Sequence, residues 1–254
     1  MAVGATTGIA TPAARVTPLP LRERLRRPEY WQWVRFAVFG RAVPAMLFGF
    51  MAWLQIGHLQ TNIAGFKDDP AAGVMLRSVL PNALYLAFCG IPVAIYLTRP
   101  MPRARDGRVV ARAAAFTGTL MQLAVGAFLP TGRQLFDSPL WLRDLSAPVA
   151  MCAFGFAVVG LAYLRRNLSI IPEARRLTTS GPYRLVRHPL YFAEILAAIA
   201  LVVASPKLVP TAALLVFIAM QNLRAHFEEG LLRRVFPEYT AYARRTRRLI
   251  PFVC

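Results

Sequence analysis

Residues 147–164 read Ala147-Pro148-Val149-Ala150-Met151-Cys152-Ala153-Phe154-Gly155-Phe156-Ala157-Val158-Val159-Gly160-Leu161-Ala162-Tyr163-Leu164, and Arg165-Arg166 follow at once. The stretch holds no charge. At about 1.5 Å of rise per helical residue it comes close to the roughly 30 Å of a bilayer's hydrocarbon core. It reads as a spanning helix stopped by a basic pair. Clear apolar runs of the same kind occupy 34–57, 74–97 and 109–129, and two shorter ones occupy 191–204 and 208–223. Ser205-Pro206-Lys207 between the last two is brief enough to be only a hairpin tip. The predicted fold is therefore an all-α integral membrane protein of about six transmembrane helices.

Composition agrees. Of 254 residues 56% are hydrophobic and 17% charged, against about a quarter charged in soluble domains. The net charge of +18 would suit nucleic acid, but the basic residues lie between the apolar blocks, where the positive-inside rule expects them. Membrane lipids, and no nucleic acid, are the expected partners. The arm before the first run carries Arg15, Arg22, Arg24, Arg26 and Arg27, and the next connection only Lys67, with Asp68 and Asp69. Then come Arg99, Arg103, Arg105 and Arg108, followed by a balanced set, Arg133, Asp137, Arg143 and Asp144. The 165–187 connection is strongly basic, the hairpin tip has Lys207 alone, and the tail ends in Arg244, Arg245, Arg247 and Arg248. Rich and poor alternate at every crossing. Six spans with both termini in the cytoplasm satisfy the rule, with 58–73, 131–146 and 205–207 outside.

Residues 1–28, rich in Ala, Thr, Pro and Arg, read as a disordered basic arm able to rest on anionic lipid. Residues 29–150 hold the N-terminal transmembrane helices. Arg41 and Gln122 lie inside apolar runs, where polar groups are costly and pair within the bundle or serve a site. Three cysteines set no disulfide framework, and the absence of C-x-x-C and H-E-x-x-H argues against a metal.

The chemistry concentrates in residues 151–254. The 165–190 connection is too long and polar for a mere turn, and Gly181-Pro182 punctuates it. Pro189 opens a helix, where its missing N–H costs nothing. His188 just before it sits where first-turn N–H groups face a ligand. The sixth run leads into Arg224-Ala225-His226-Phe227-Glu228-Glu229. Arg224 and Glu228, four apart, share a helix face and by themselves make an ordinary helix salt bridge. Phe236-Pro237-Glu238-Tyr239-Thr240-Ala241-Tyr242 breaks the helix and restarts it, with Tyr239 and Tyr242 as packing residues.

In order, Gly181-Pro182-Tyr183, Arg187-His188-Pro189-Leu190-Tyr191, Arg224 with Glu228-Glu229, and Phe236 to Tyr242 with Pro251 resemble the isoprenylcysteine carboxyl methyltransferase family. That family has bacterial members and relatives among the phospholipid N-methyltransferases. The likeness covers about 160–252. It implies a methyltransferase of the bacterial inner membrane, with S-adenosylmethionine as cofactor under a cytoplasmic loop and C-terminal helix. Tyr183, His188, Pro189, Leu190 and Tyr191 would line the cofactor site. Arg176, Leu177 and Thr178 would cover the adenosyl end, and Glu228 would hold the amino-acid portion. Arg224 would face a lipophilic acceptor arriving from the bilayer. A carboxylate of an isoprenoid or prenylcysteine-like compound is the favoured acceptor, with an amine or phospholipid as the alternative. For an amine, Glu229 is the expected base.

The charges fit those roles. Glu228 suits the cofactor's ammonium, and the faces of Tyr183 or Tyr191 suit its sulfonium. A membrane reductase of the sterol-reductase type using NADPH shares the R-H-P-x-Y. It would carry an Arg-Asp pair and a Cys-x-x-Lys-Tyr stretch where this chain has Glu228-Glu229 and no such cysteine. No G-x-G-x-G follows a strand, so a Rossmann-type cofactor domain is excluded.

Overall fold

The computed structural model describes residues 21–68, 70, 75, 79–128 and 131–250. The basic end of the arm is helical, as α1 (Leu21–Arg26) and α2 (Pro28–Arg35), where the sequence predicted no structure; residues 1–20 lie outside the described set. Helix α2 continues through a π-helical turn, Phe36–Ala42, into α3 (Val43–Asp68). The first span therefore overruns its predicted 34–57 at both ends, and much of the expected 58–73 connection is helix. Next come α4 (Leu80–Thr98), α5 (Val109–Phe128) and α6 (Leu140–Leu164). The start of the predicted 74–97 span falls largely on residues not described. Two final long helices, α7 (Pro189–Ala204) and α8 (Leu208–Val235), precede the short α9 (Tyr239–Arg245).

Four helical stretches are long and apolar enough to cross a membrane among the described residues: Pro28–Asp68, Leu80–Thr98, Leu140–Asn167 and Leu208–Val235. Helix α7 is apolar but shorter. This is a membrane protein, and its outer surface says the same. Phe39, Met46, Trp53, Val109, Leu140, Trp141 and Leu215 are all exposed, far more apolar surface than a water-facing chain carries singly.

Spatial order departs from chain order. Helix α3 packs on α4, α4 on α6, and α6 most extensively on α7, while α5 pairs with α8. Small residues permit the α6–α7 contact: Ala150, Ala153, Ala157, Ala193, Ala197 and Ala200 are buried in one cluster. The connections alternate between two ends. At one, the Arg41 guanidinium donates to the Arg99 carbonyl at 3.0 and 2.6 Å, so Arg41 is a bundle partner. At the other, Leu135 N–H donates to the Pro206 carbonyl at 2.9 Å and Leu208 N–H to the Arg133 carbonyl at 2.9 Å.

The fold is not purely helical. Ala104–Arg105 (β1) pairs antiparallel with Glu173–Ala174 (β2), and Val186 bridges in parallel to Arg247. These pieces are too short to leave a period in the sequence. They clip the α4–α5 connection and the C-terminal tail onto the loop between α6 and α7, at the end of the bundle that carries the site.

Candidate functional site

Helix α8, with 28 residues, is about 42 Å long, well beyond the roughly 30 Å a hydrocarbon core needs. Its last turns, with Glu228 and Glu229, therefore project past the membrane beside the start of α7. The two helices run antiparallel and face each other through a ladder of polar rungs. Outermost, His188 Nε2 lies 3.3 Å from Glu229 Oε1. Next, the Tyr191 hydroxyl donates to Glu228. The Arg224 guanidinium then sits over the Tyr191 ring, 4.7 Å from its centroid. Deepest, the Gln221 amide donates to Glu194 and its oxygen accepts from Arg224 Nη1 at 2.8 Å. His188 and Tyr191 stack in parallel, centroids 5.3 Å apart. Residues 188, 191 and 194 share one face of α7, and 221, 224 and 228 share one face of α8, which is why the rungs repeat.

A cavity opens along this ladder. Arg176, Leu177, Thr178, Tyr183, His188, Pro189, Leu190, Tyr191, Arg224 and Glu228 all line it. Glu194 lines it too, as do Phe48, Tyr96, Thr119 and Gln122 from the long apolar helices α3, α4 and α5. One space thus runs from the loop into the bundle. Helix α5 comes close because residue 118 is glycine. A Cβ there would stand 2.9 Å from Arg224 Cδ.

The loop roof is held by charge. Glu173 accepts from Arg175 at 2.6 Å and from Ser169 at 2.7 Å, and Arg105 and Arg99 lie at 2.6 and 3.3 Å. Burial acts to raise its pKa, but Arg175, Arg99, Ser169 and Arg105 outweigh that and hold the carboxyl below its ordinary value. Asn167 donates to Thr178 at 3.0 Å. Gly181 takes φ +60°, and a Cβ there would lie 2.6 Å from the Tyr163 ring, so both conformation and space call for glycine. The neighbouring Tyr183 is buried. Burial, then the Glu228 charge, push its phenol well above the usual range, leaving a neutral hydroxyl toward the cavity. The Tyr242 hydroxyl donates to the Tyr183 carbonyl at 2.6 Å. Tyr242 and Tyr239 pack, as expected, and also reach the cavity wall.

Glu229 has a different place. It accepts from Arg187 Nε at 2.8 Å and from Arg233 at 3.0 Å, and Arg248 Nε lies at 3.6 Å. It is not among the residues that line the cavity. Arg187 also donates to the Ala243 carbonyl at 2.7 Å, and the Arg248 carbonyl takes the His188 N–H. Glu229 thus fastens the loop end and the C-terminal tail to α8. It is surrounded by cations, which suits a clamp and not the base expected of it for an amine acceptor. The His188 N–H, engaged by Arg248, is likewise not free for a cofactor carboxylate.

Glu194, Gln221 and Glu173 went unnoticed in the sequence reading. Glu194 left a signal: it is the lone charge in the apolar 191–204 run, and intramembrane charge marks function by default. Gln221 and Glu173 gave none, because their importance comes from partners distant in the chain.

Comparison with known proteins bears on the same segment. Residues 149–239 match the family model of phospholipid methyltransferase, which spans α6 from Val149, the loop, α7 and α8. The chain is 35% identical over 112 residues to the cobalt-zinc-cadmium resistance protein CzcN of Cupriavidus metallidurans, covering 44% of this chain and 51% of that protein. It is 32% identical over 124 residues to the nickel-cobalt-cadmium resistance protein NccN of Alcaligenes xylosoxydans xylosoxydans, covering 48% and 57%. The chain thus spans about half the length of these curated relatives. The family match supports the sequence resemblance at the level of membrane methyltransferases of lipid-like substrates.

Proposed function

We propose that this protein transfers the methyl group of S-adenosylmethionine to a lipophilic acceptor that enters the cavity from the bilayer. The observation that carries the reading is the cavity itself. It joins a polar, loop-roofed end built from the matched family segment to a wall of membrane helices. By the positive-inside rule the loop end faces the cytoplasm, where the cofactor is made, and six crossings with both termini inside fit the alternating ends.

The side chains present suit the cofactor, which members of the matched family use. Glu228, partly exposed to the cavity and oriented by Tyr191, would hold the ammonium. Arg176, Leu177 and Thr178 in the roof would cover the adenosyl end, and Tyr183, His188, Pro189, Leu190 and Tyr191 would line the rest of the cofactor site. When bound, S-adenosylmethionine supplies an electrophilic methyl carbon. The chain's part is to align the acceptor, exclude water and shape the field where positive charge is lost.

The acceptor's chemistry turns on Arg224. One of its terminal nitrogens serves Gln221 and the other the Ile170 carbonyl at 3.2 Å. Those two bonds take two of its five N–H donors and tie Arg224 to the bundle. Glu194 adds a carboxylate to the same cavity wall, and a carboxylate beside the acceptor favours an amine-bearing lipid over the prenyl carboxylate that the sequence resemblance put first. The carboxylate reading keeps one observation in its favour: Arg224 Nε is buried without a hydrogen-bond partner and could take a single carboxylate oxygen.

Calorimetry of S-adenosylmethionine on detergent-purified protein tests the reading. Glu228→Ala should weaken binding about tenfold or more, since a charge-assisted hydrogen bond is worth roughly 1.5–3 kcal/mol and about 1.4 kcal/mol is a factor of ten. Equal affinity in a folded Glu228→Ala protein would remove Glu228 from the cofactor site.

A further inference from the structure

Three of the carboxylates at the site end are closely matched by cations or by the cofactor role. Glu173 faces three arginines, and Glu229 faces Arg187, Arg233, Arg248 and His188. Glu228 opens to the loop end of the cavity. Glu194 differs in kind. It lines the cavity one rung deeper than Arg224, its hydrogen bond comes from a neutral amide, that of Gln221, and the Arg224 charge reaches it across that amide and not in a direct ion pair. Gln221 is fully buried, and its orientation is set twice. Arg224 has only donors to offer and claims the amide oxygen, so the amide NH2 must point to Glu194. The pair Arg224–Gln221 therefore holds the Glu194 carboxylate in one position, on the cavity wall deeper in the bundle than Arg224 and Glu228.

A negative charge in an apolar bundle is costly, and a packed alanine or leucine would serve the α7 core better. A carboxylate aimed into a cavity at this depth is suited to a cationic guest. We propose that Glu194 is the acceptor-side residue of this site. It binds the ammonium head of a lipophilic amine and takes its proton. This rests on the methyltransferase reading above and names its substrate class. An ammonium nitrogen has no lone pair, so it cannot accept a methyl group until an N–H bond breaks. In the proposed step that bond breaks, an O–H bond forms on Glu194, and the electron pair stays on nitrogen. Glu194 ends as the neutral acid and the guest as the free amine. The proton is released to water through the cavity before the next turnover. Glu229, ringed by cations and off the cavity, does not perform this step.

The test is equilibrium binding to the full chain in detergent, with dodecylamine, dodecanoate and S-adenosylmethionine measured separately. The wild-type protein should bind dodecylamine more tightly than dodecanoate. The isosteric Glu194→Gln should lose dodecylamine affinity by tenfold or more and keep S-adenosylmethionine affinity within about twofold. In the coupled reaction the acid limb of the rate against pH should disappear in Glu194→Gln, together with most of the turnover. Unchanged dodecylamine binding in Glu194→Gln would overturn the proposal. So would a wild-type preference for dodecanoate, which needs no variant to fold and would return the site to a carboxylate held by Arg224. Failure of the wild-type protein to bind S-adenosylmethionine would sink the methyltransferase reading instead, while dodecylamine binding would still report on Glu194 by itself.

Discussion

Glu228 and Glu229 are neighbours in the chain and point to different tasks, because successive residues on a helix are about 100° apart. Glu228 turns to the cavity and meets Tyr191, whereas Glu229 turns to Arg187, Arg233 and Arg248. Replacing Glu229 by Gln should therefore act on stability. The clamp between loop, tail and α8 would weaken by roughly 1.5–3 kcal/mol, read as a lower thermal midpoint and faster protease cleavage after Arg244–Arg248. The pH dependence of methyl transfer in the remaining folded protein should not change. A lost pH limb with unaltered stability would make Glu229 the base after all. The sequence showed the pair but not this division, since a motif gives spacing and leaves out the partners. Spacing placed Arg224 and Glu228 on one face of α8, but that this face would meet His188 and Tyr191 across the helix pair came from the family resemblance alone; in the structure the four side chains lie together. The sequence hid Glu194 for lack of a motif, although a lone acid in an apolar run was a physical signal in plain view.

Helices were legible wherever hydrophobicity ran long. The 109–129 and 191–204 runs appear nearly as read, as α5 and α7. The ends were harder. Helix α8 runs on to Val235 because hydrogen bonding continues after apolarity stops, and a hydropathy reading sees only the latter. Pro148 lies inside α6, so the start at residue 147 came late. The loop roof was legible as a functional connection but not as a structure, because Glu173 and its arginines come from two connections far apart in the chain. Their coupling gives a pH prediction. Glu173 has its carboxyl held below its ordinary 4.5, so folding favours its charged form. The stabilisation it contributes is complete above about pH 4.5 and is lost as pH falls through the lower folded value. Hydrogen exchange over 165–188 should rise below that pH in the wild-type protein. In Glu173→Gln it should already be high at neutral pH. Equal, pH-independent protection in both proteins would show that the β1–β2 clip holds the roof without this charge.

The protein as a whole is an asymmetric bundle: the ion pairs of the loop, tail and α8 gather at one end, and the α5–α6 connection meets the α7–α8 hairpin at the other. That asymmetry was visible in the distribution of arginine, and it makes the orientation testable. With Cys89, Cys152 and Cys254 replaced, a cysteine at Arg133 should react with a membrane-impermeant thiol reagent added to intact cells, and one at Arg176 should not. Labelling at Arg176 alone would invert the protein and put the cofactor cavity on the wrong side of the membrane. The packing order α3–α4–α6–α7, with α5 set against α8, was not legible, because all these faces are lined by similar small and aliphatic side chains. This order brings α5 and its Gln122 to the cavity and gives the bilayer-side wall its polar lining. The central claim is methyl transfer from S-adenosylmethionine to a molecule drawn from the lipid phase. Purified protein incubated with methyl-labelled S-adenosylmethionine and a total lipid extract tests it most directly. The account predicts label in the organic phase, on an amine-bearing lipid by mass analysis, and about tenfold less or lower with Glu228→Ala at a cofactor concentration below saturation. Label that stays wholly in the aqueous phase with folded, cofactor-binding wild-type protein would contradict it.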